Sequence, residues 1–429
     1  MTIEQLYQLY LQHPTVQTDT RNLKEGEIFF ALKGPNYNAN EFAGEALTRG
    51  AACVVVDEQL FEPNDRIILV QDVLQTLQDL AKHHRMQLKI PVVGITGSNG
   101  KTTTKELVHT VLSAKFKCYT TRGNLNNHIG VPLTLLSIRQ DAEIAVIEMG
   151  ANHIGEIAGY CEYAQPDYGI ITNCGKAHLE GFGSLEGVRK GKGELYDYLR
   201  AHNGTAFVMW DYDYLREMSA GIPKVITYGT ADAEVTGSIV EDKQFLSVRF
   251  TKGFSLPVID SQLVGGYNLP NVLVTVTVGK FFGVPDADIK TAIEQYAPSN
   301  SRSQLLSRNG ATIVLDAYNA NPSSMRAAIS NFAAMAGDKK ILMLGAMAEL
   351  GEESLQEHQE ILDLLARFNW SAVVLVGGDF QRLDTSYFVF PDSLAAGKWL
   401  AEQSIAGSSL LIKGSRSMKM EQVLAALPV

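Results

Sequence analysis

Short apolar runs, separated by stretches in which apolar residues recur at helical spacing, set the pattern of this chain. Four consecutive residues are apolar within both Pro91–Thr96 and Glu143–Glu148, whereas Ile3–Gln12 carries apolar residues every three or four positions. Continuous apolar runs are typical of strands in a parallel sheet that is covered on both faces, and the second spacing is typical of amphipathic helices. The pattern therefore predicts a mixed α/β fold.

The pattern divides into three predicted domains. Residues 1–88 predict a small N-terminal α/β domain, and the linker-like Lys89–Pro91 opens a central domain over residues 89–300 whose strands form a parallel sheet. Residues 301–429 alternate strands and helices as in a C-terminal Rossmann-like domain, which ends in a helix predicted at Met418–Ala426. This domain lacks the G-x-G-x-x-G fingerprint, which argues against a dinucleotide site.

Composition and charge are those of an ordinary globular protein, with 45% hydrophobic and 20% charged residues. The formal net charge of −10 argues against nucleic acid as the main partner. No apolar run approaches the ~18 residues of a membrane span, and the N-terminus lacks a signal-peptide pattern. The four cysteines form no C-x-x-C pair, as expected for buried free thiols in a reducing compartment. We therefore expect a cytoplasmic protein with no membrane span, and we expect it to be a monomer.

The segment GITGSNGKTTTKE has the order of a phosphate-binding loop. A strand that ends at Thr96 is followed by Gly97–Gly100, then by Lys101, Thr102 and a helical pattern. Glycines allow backbone N–H groups to face phosphates, a helix N-terminus favours anions, and lysine and threonine suit terminal phosphates and Mg²⁺. The strict template requires glycine where Ile95 stands, so a glycine turn without a ligand is the alternative. The segment predicts a nucleoside triphosphate site in a central domain of the P-loop ATPase type.

Polar residues also follow other predicted strands. Glu148 ends its strand, and His178 lies just beyond Tyr168–Thr172. Ligands of open α/β sheets bind at the carboxyl ends of strands. A buried glutamate is energetically costly unless it is paired, so Glu148 is either a Mg²⁺ ligand or one partner of a salt bridge. His178 is either a metal or phosphate ligand or an ordinary loop histidine. In the C-terminal domain, Asp316 and Lys413 at two strand ends indicate a binding crevice rather than a turn cap and a solvated lysine.

Two further groups of polar residues have competing interpretations. Thr20–Arg21 has the hydroxyl and guanidinium that suit a phosphate, yet Asp19 could cap a turn and leave the arginine solvated. Asn268 suits an N-cap, whereas Asn271, inside the following helix, has no such structural reason and could bind a base or ribose. No protein-kinase signature set or serine nucleophile elbow occurs. Residue chemistry alone predicts an ATP-dependent, Mg²⁺-using enzyme whose domains close over the site.

The motifs of the chain resemble those of the Mur ligase family. In order, they are GITGSNGKTTTKE, IEMGANHIGEI, TNCGKAHLEGFGSLEGV, GGYNLPNV, NSR, DAYNANPSSM, LGAMAELGEES and KGSR. The resemblance covers essentially the whole chain. The nucleotide loop is shared by all Mur ligases and by folylpolyglutamate synthase, whereas GNLNNHIGVPLTLL (Gly123–Leu136), YNANP and ELGEES point to the member that adds D-alanyl-D-alanine. The D-N-P-R motif of the diaminopimelate-adding relative is absent.

The resemblance implies ATP-dependent amide bond formation in peptidoglycan precursor synthesis. The implied substrates are UDP-N-acetylmuramoyl-tripeptide and D-alanyl-D-alanine, with ATP and two Mg²⁺ ions. The terminal carboxylate of the tripeptide would attack the γ-phosphate to form an acyl phosphate, which the amine of the dipeptide would then attack. The alternatives are another amino-acid ligase of the Mur or folylpolyglutamate type, or a nucleotide-gated binding module without catalysis.

The resemblance also implies a role for individual residues. Catalytic roles fall on Lys101, His178 and Lys192, and Lys192 occupies a position that carries a carbamate in several members. The implied Mg²⁺ ligands are Thr102, Glu148 and His178. The implied ATP contacts are Thr96, Gly97, Ser98, Asn99, Gly100, Lys101, Thr102, Thr103, Asn268, Asn271, Arg302 and Asp316. The implied substrate contacts are Thr20 and Arg21 for the uridine diphosphate, Asn126 and Asn127 for the sugar-peptide channel, and Asn319, Asn321, Ser415 and Arg416 for the dipeptide.

Four positions depart from the pattern of the family. Ala346 stands where aspartate is frequent, Tyr267 and Asn40 stand where histidine is frequent, and His128 stands where glutamate is common. These departures bear on substrate contacts and leave the phosphate-handling motifs intact.

Overall fold

The structure, a computed structural model, describes residues 1–59, 64–241, 243–299 and 301–427. Over these ranges the chain forms three main sheets of mostly parallel strands, with helices packed against them. The α/β class predicted from the sequence is confirmed. No helix in the described ranges is long and apolar enough to cross a membrane.

The N-terminal segment folds around a small parallel sheet. Its strands are β1 (Val16–Gln17), β2 (Ile28–Phe30), β3 (Lys33–Gly34), β4 (Tyr37–Asn38), β5 (Cys53–Val56) and β6 (Ile67–Leu69), and its helices are α1 (Ile3–Gln12), α2 (Ala43–Thr48) and α3 (Val73–Gln87). Within the described residues, β1, β2, β5 and β6 form the sheet in that order. Helix α1 has its predicted bounds because Thr2 and Gln5 form a reciprocal capping box at its start.

The central segment folds around a larger sheet. Its strands are β7 (Val92–Thr96), β8 (Cys118–Thr120), β9 (Ile144–Glu148), β10 (Tyr168–Ile171), β11 (Thr205–Met209), β12 (Lys224–Gly229), β13 (Val235–Ile239), β14 (Ser247–Lys252) and β15 (Val258–Asp260). Its helices are α4 (Lys101–Ser113), α5 (Gly130–Ser137), α6 (Glu156–Ala164), α7 (Leu179–Phe182), α8 (Leu185–Ala201), α9 (Asp213–Met218), α10 (Leu269–Phe281) and α11 (Asp286–Gln295).

The order of the central sheet places the predicted functional strands side by side. Over the described residues the order is β15-β14-β13-β12-β11-β10-β7-β9-β8, so β7 lies between β10 and β9 and runs parallel to both. Ile95 of β7 is in register with Glu148, and Thr96 is in register with Ile171. The carboxyl ends of the three strands therefore meet at one edge of the sheet, as their apolar runs and polar ends predict.

The C-terminal segment folds around a third sheet. Its strands are β16 (Gln304–Arg308), β17 (Ala311–Asp316), β18 (Lys340–Gly345), β19 (Ala372–Val376), β20 (Phe388–Phe390) and β21 (Ser409–Lys413), and its helices are α12 (Pro322–Ala334), α13 (Ser354–Leu365) and α14 (Ser393–Ala401). In the described part of the chain the order is β16-β17-β21-β18-β19-β20, and only β16 runs antiparallel to its neighbour.

The α-helix predicted at Met418–Ala426 is wrong. Arg416–Met418 and Met420–Ala426 form two 3₁₀ helices instead. Lys419 between them has a left-handed φ of 48°, which ends the first helix and prevents a continuous α-helix.

Each main sheet lies inside one of the three predicted domains. The boundaries after residues 88 and 300 stay predictions, and residues 300, 428 and 429 lie outside the described residues.

Hydrogen bonds between α1, α3 and the central segment join the first two domains. The Tyr10 hydroxyl donates to the Leu136 carbonyl at 2.5 Å, and the buried His84 ring nitrogen lies 2.9 Å from the Ile138 carbonyl. The buried Arg85 guanidinium reaches the carbonyls of Ala164 and Gln165 at 3.0 Å, and it also contacts Asp167 at 3.2 Å. A buried guanidinium that satisfies several carbonyls fixes the relative position of the two domains.

We predict that Arg85→Met lowers the free energy of unfolding by about 3 kcal/mol, because it leaves several buried carbonyls without a donor. Urea denaturation measures this change. Lys82→Met is the matched control, since Lys82 pairs across the same interface with Glu162 but is exposed. An Arg85→Met variant as stable as the control would contradict this account of the interface.

Candidate active site

The loop between β7 and α4 has the backbone of a phosphate-binding loop. Gly97 has φ of +140° and Gly100 has φ of +81°, both in the region that favours glycine. A Cβ atom at Gly97 would lie 2.0 Å from the Thr172 hydroxyl oxygen, so any side chain is excluded there. Helix α4 begins at Lys101, so its N-terminus faces the loop.

The segment that follows β10 holds this loop in place. The Ser98 amide donates to the Asn173 carbonyl at 2.8 Å, and the Asn99 amide donates to the Asn173 side-chain oxygen at 3.0 Å. The Ser98 hydroxyl donates to the Gly175 carbonyl at 2.9 Å and accepts from its amide at 3.0 Å. These hydrogen bonds therefore fix the shape of the loop.

Lys101 lies over the loop. Its ammonium group donates to the carbonyls of Gly97 at 2.7 Å and Ser98 at 3.2 Å. Burial lowers the pKa of Lys101 to about 8; Glu148 opposes this change and Arg302 adds to it.

Thr102 and Glu148 lie together beneath the loop. The Thr102 hydroxyl donates to Glu148 Oε1 at 3.1 Å, and Asn126 donates to the same oxygen at 2.8 Å. Glu148 is 1% exposed, and its Oε2 has no hydrogen-bond partner among the described residues. The buried Thr96 hydroxyl also lacks a partner in that part of the chain, whereas Thr103 is half-buried. An unpartnered buried carboxylate oxygen beside a hydroxyl suits a hard cation.

His178 contacts the C-terminal domain. It has a left-handed φ of 52° at the start of α7, and its Nδ1 forms an ion pair with the Glu349 carboxylate. His178 holds the pKa of the Glu349 carboxyl below its usual range. Over the described residues no hydrogen bond joins His178 to Glu148 or Thr102, and no group of three or more His, Cys, Asp and Glu side chains is placed to hold a metal. The metal role of His178 stays a prediction.

Lys192 is buried in α8. It is 1% exposed, its ammonium donates to the Ala151 carbonyl at 2.8 Å, and it lies 4.9 Å from the centre of the Phe182 ring. Burial, together with the nearby positive charge of Lys101, lowers the pKa of Lys192 to about 7. A large fraction of the amine is therefore neutral, and so nucleophilic, near pH 7.

Asn268 and Asn271 bond to the protein itself. Asn268 occupies the N-cap position of α10 but makes no capping hydrogen bond; it donates to the Val264 carbonyl at 2.9 Å. Asn271 donates to Asn268 at 2.8 Å and accepts from the Thr104 hydroxyl at 3.1 Å. The capping role expected for Asn268 is wrong, and so is the expectation that Asn271 has no structural reason in the helix, because it joins α10 to α4.

The C-terminal domain is docked on the nucleotide loop. The Asn321 side chain caps α12 and donates to the Asn99 side-chain oxygen at 2.8 Å. Arg302 stacks over the Tyr318 ring at 3.6 Å. Asp316 pairs with Lys413 at 2.6 Å, so Lys413 is not simply solvated and Asp316 does not act as a turn cap alone.

The residues predicted to bind the dipeptide lie around the strand ends of the third sheet. The buried Ser415 hydroxyl donates to the carbonyl of Ala346 at 2.6 Å. Arg416 is exposed, pairs with Glu421 at 2.9 Å and lies 6.0 Å from the Tyr318 ring centre. Asn319 accepts from the Ala320 amide, and its carbonyl accepts from Lys413 at 3.1 Å.

The residues predicted to bind the UDP end and the sugar-peptide channel make mostly local contacts. Asp19 caps the turn that begins at Thr20, and the exposed Arg21 pairs with it at 2.7 Å. Asn127 accepts from the amides of Ile129 and Gly130 at the start of α5. The turn cap of the structural alternative for Thr20–Arg21 is therefore present, and the exposed Arg21 guanidinium pairs with the capping residue.

Three of the positions that depart from the family pattern, Tyr267, Asn40 and His128, form hydrogen bonds within the protein. The Tyr267 hydroxyl lies 2.8 Å from the Ser303 hydroxyl, and burial raises the pKa of Tyr267. The buried Asn40 donates to Asp57 at 2.8 Å, and the His128 carbonyl accepts from Gln78 at 3.0 Å.

Residue patterns assigned no individual role to four residues at the site. Asn173 shapes the loop, Tyr318 carries Arg302, Glu349 pairs with His178, and Lys176 contacts the C-terminal domain. Asn173 and Tyr318 lie just after strand ends, and the sequence pattern can identify residues at such positions. Glu349 and Lys176 depend on how two domains meet, which no local pattern encodes.

The fold and the site together define a P-loop nucleotide-binding protein with three α/β units. Residues 95–279 match the Mur ligase middle domain, and residues 301–416 match the Mur ligase glutamate ligase domain. The chain belongs to the Mur ligase family, as its motifs predict.

Relatives and solved structures agree with this family membership. The chain is 36% identical to the UDP-N-acetylmuramoyl-tripeptide–D-alanyl-D-alanine ligase of Escherichia coli (strain K12), over 96% of this chain and 93% of the relative. It is 33% identical to the enzyme of the same name from Bacillus subtilis (strain 168), over 96% and 92%. The crystal structure of MurF ligase from Thermotoga maritima in complex with ADP superposes with a TM-score of 0.87 at 28% identity, covering 97% of each chain.

We predict that Gly97→Ala weakens ADP binding at least about tenfold, because the residue combines a positive φ with no room for a Cβ atom. Isothermal titration calorimetry measures the affinity. Gly26→Ala is the matched control: its φ is +82°, but no atom lies within 4 Å of the added Cβ. Equal ADP affinities in the two variants would contradict the proposed loop geometry.

Proposed function

We propose that this protein joins D-alanyl-D-alanine to UDP-N-acetylmuramoyl-tripeptide at the expense of ATP. The observation that carries the proposal is the contact between Asn99 of the nucleotide loop and Asn321 of the C-terminal domain, at 2.8 Å. This contact supports a proposal in which the ATP and dipeptide sites lie next to each other. The full-length relatives that carry the name of this reaction support the choice of substrates.

The reaction proceeds in two steps in this proposal. The terminal carboxylate oxygen of the tripeptide attacks the γ-phosphorus, which forms an acyl phosphate and releases ADP. The amine of D-alanyl-D-alanine then attacks the acyl carbon, a proton leaves the nitrogen, and the bond to phosphate breaks. The first step brings a carboxylate toward a triphosphate, so the cleft must offset repulsion between anions.

The cations of the cleft suit that task. Lys101 already donates to two loop carbonyls, and a bound triphosphate offers it stronger, charged acceptors. Arg302 is the second cation of the proposal, and it contributes to the lowered pKa of Lys101. Both residues therefore bind and orient the phosphates in this proposal.

Thr102 and Glu148 fit a Mg²⁺ ion. Hydroxyl and carboxylate oxygens are the donors that this ion prefers, and Glu148 Oε2 is buried without a partner among the described residues. When bound, Mg²⁺ would neutralise charge on the phosphates. The second ion, with His178 as a ligand, stays a prediction.

We also propose that Lys192 is carbamoylated. The nitrogen of the neutral amine would attack the carbon of CO₂ and lose a proton, which converts a buried cation into an anion. The low pKa of about 7 favours the reactive form of the lysine. An anion at this position relieves repulsion between Lys192 and Lys101.

The remaining roles stay predictions. They are the adenine contacts of Asn268 and Asn271, the ribose and phosphate contacts of Asp316 and Arg302, and the substrate contacts at Thr20, Arg21, Asn126, Asn127, Asn319, Asn321, Ser415 and Arg416. The cytoplasmic location and the monomeric state are likewise predictions.

The function is tested by incubating the purified protein with ATP, UDP-N-acetylmuramoyl-tripeptide and D-alanyl-D-alanine. Mass spectrometry should show the pentapeptide product together with ADP, and Lys101→Ala should abolish both. In parallel assays, single amino acids replace the dipeptide, and dihydropteroate replaces the UDP-N-acetylmuramoyl-tripeptide. Product only with those compounds would identify a different ligase, and ATP binding without turnover would identify a binding module.

We predict that Glu148→Gln raises the Mg²⁺ concentration for half-maximal activity by about tenfold, because a neutral amide replaces the unpartnered carboxylate oxygen. Steady-state assays over a Mg²⁺ series measure the change. Glu143→Gln, just before the same strand, is the control, since the Glu143 carboxylate accepts a hydrogen bond from the amide of the exposed Lys117. Unchanged Mg²⁺ dependence in Glu148→Gln would remove the metal assignment.

We predict that Lys192→Ala reduces turnover and that added acetate restores part of it, because acetate supplies the missing anion. Turnover of Lys192→Ala and of the unaltered protein is measured with increasing acetate at constant ionic strength. Rescue in the variant alone supports the carbamate. No rescue would assign Lys192 a purely structural role.

A further inference from the structure

An ion-pair network that the proposed chemistry does not use spans the central and C-terminal domains. Lys176, in the segment after β10, pairs with Glu357 of α13 at 2.5 Å. The second oxygen of Glu357 accepts from Arg326 of α12 at 2.7 Å, and Arg326 also pairs with Glu360 at 2.5 Å. Glu357 is only 1% exposed. A carboxylate this buried depends on its cations, because removing either one leaves charge without compensation.

The network is attached directly to the nucleotide loop. Gly175, next to Lys176, accepts from the Ser98 hydroxyl at 2.9 Å and donates to it at 3.0 Å. The Lys176 amide donates to the Ser323 hydroxyl of α12 at 3.0 Å. A single residue therefore contacts the C-terminal domain through both its main chain and its side chain, one position from a residue that shapes the loop.

We infer that Lys176 and Glu357 form a latch that holds the C-terminal domain docked on the nucleotide loop, and that both act as positioning residues for capture of the dipeptide. Within the described part of the chain, neither side chain forms a hydrogen bond with the predicted phosphate-binding groups. The latch acts through the docked position of the C-terminal domain, which carries the predicted dipeptide contacts. The kinetic part of this inference rests on the proposed function.

The latch predicts a split between binding and catalysis. The predicted nucleotide contacts lie mainly in the central domain, so Lys176→Met should change ADP affinity by less than about twofold. The kcat/KM for D-alanyl-D-alanine should fall about tenfold, because the domain that binds the dipeptide docks less often. Lys176→Arg retains the charge and should stay close to the unaltered protein.

A double-mutant cycle with Lys176→Met and Glu357→Gln tests the latch. If the two residues act as a pair, the double variant loses no more kcat/KM than Glu357→Gln alone. Small-angle scattering with a non-hydrolysable ATP analogue should show a compact particle for the unaltered protein and Lys176→Arg, and a larger radius of gyration for Lys176→Met. Lys82→Met, which removes an exposed pair at the other domain interface, is the control for both measurements.

The outcomes separate the latch from the function. Multiplying effects in the double variant, or unchanged scattering and kcat/KM in Lys176→Met, would overturn the latch. Thermal unfolding of every variant identifies any folding defect. If Lys176→Met folds poorly, Lys176→Arg tests the latch instead. A larger radius of gyration in Lys176→Arg, which retains the positive charge, would also overturn the latch. If the unaltered protein makes no product, the proposed function fails, while the scattering data still test the latch.

Discussion

Repulsion between anions is the constraint on which this structure depends. The chain carries a net charge of −10, yet the proposed reaction brings a carboxylate next to a triphosphate. Burial lowers the pKa values of Lys101 and Lys192 to about 8 and about 7; Arg302 contributes to the decrease at Lys101, and Lys101 contributes to the decrease at Lys192. Placing cations close together is unfavourable in electrostatic energy, and bound anions offset this repulsion. The arrangement therefore suits a site that binds negatively charged groups.

The fold meets this constraint by joining strand ends from two domains. In the central sheet, β7 lies between β9 and β10, so the loop, Glu148 and the Asn173 segment meet at one edge. The C-terminal sheet supplies the facing edge, where Asp316 and Lys413 pair and Arg302 stacks on Tyr318. The arrangement of the proposed site therefore depends on how the two domains dock as well as on each sheet.

Local patterns predicted the parts of the site that a single element determines. The apolar run before Glu148 and the glycines at 97 and 100 predicted a buried strand end and a phosphate loop, since both signals are contained within a few residues. Contacts between distant segments were not predictable in this way. Asn271 bonds to Thr104 across more than 160 residues, and the contact of Asn321 with Asn99 requires the domains to dock. The α-helix predicted at Met418–Ala426 is wrong because the sequence pattern does not reveal the left-handed backbone of Lys419.

The central claim is that ATP activates a carboxylate rather than supplying energy by hydrolysis. The most direct test is a turnover experiment with UDP-N-acetylmuramoyl-tripeptide labelled with ¹⁸O in its terminal carboxylate. Mass spectrometry of the released phosphate should find one ¹⁸O atom from the tripeptide for each amide bond formed. Unlabelled phosphate, released while the product forms, would contradict the account.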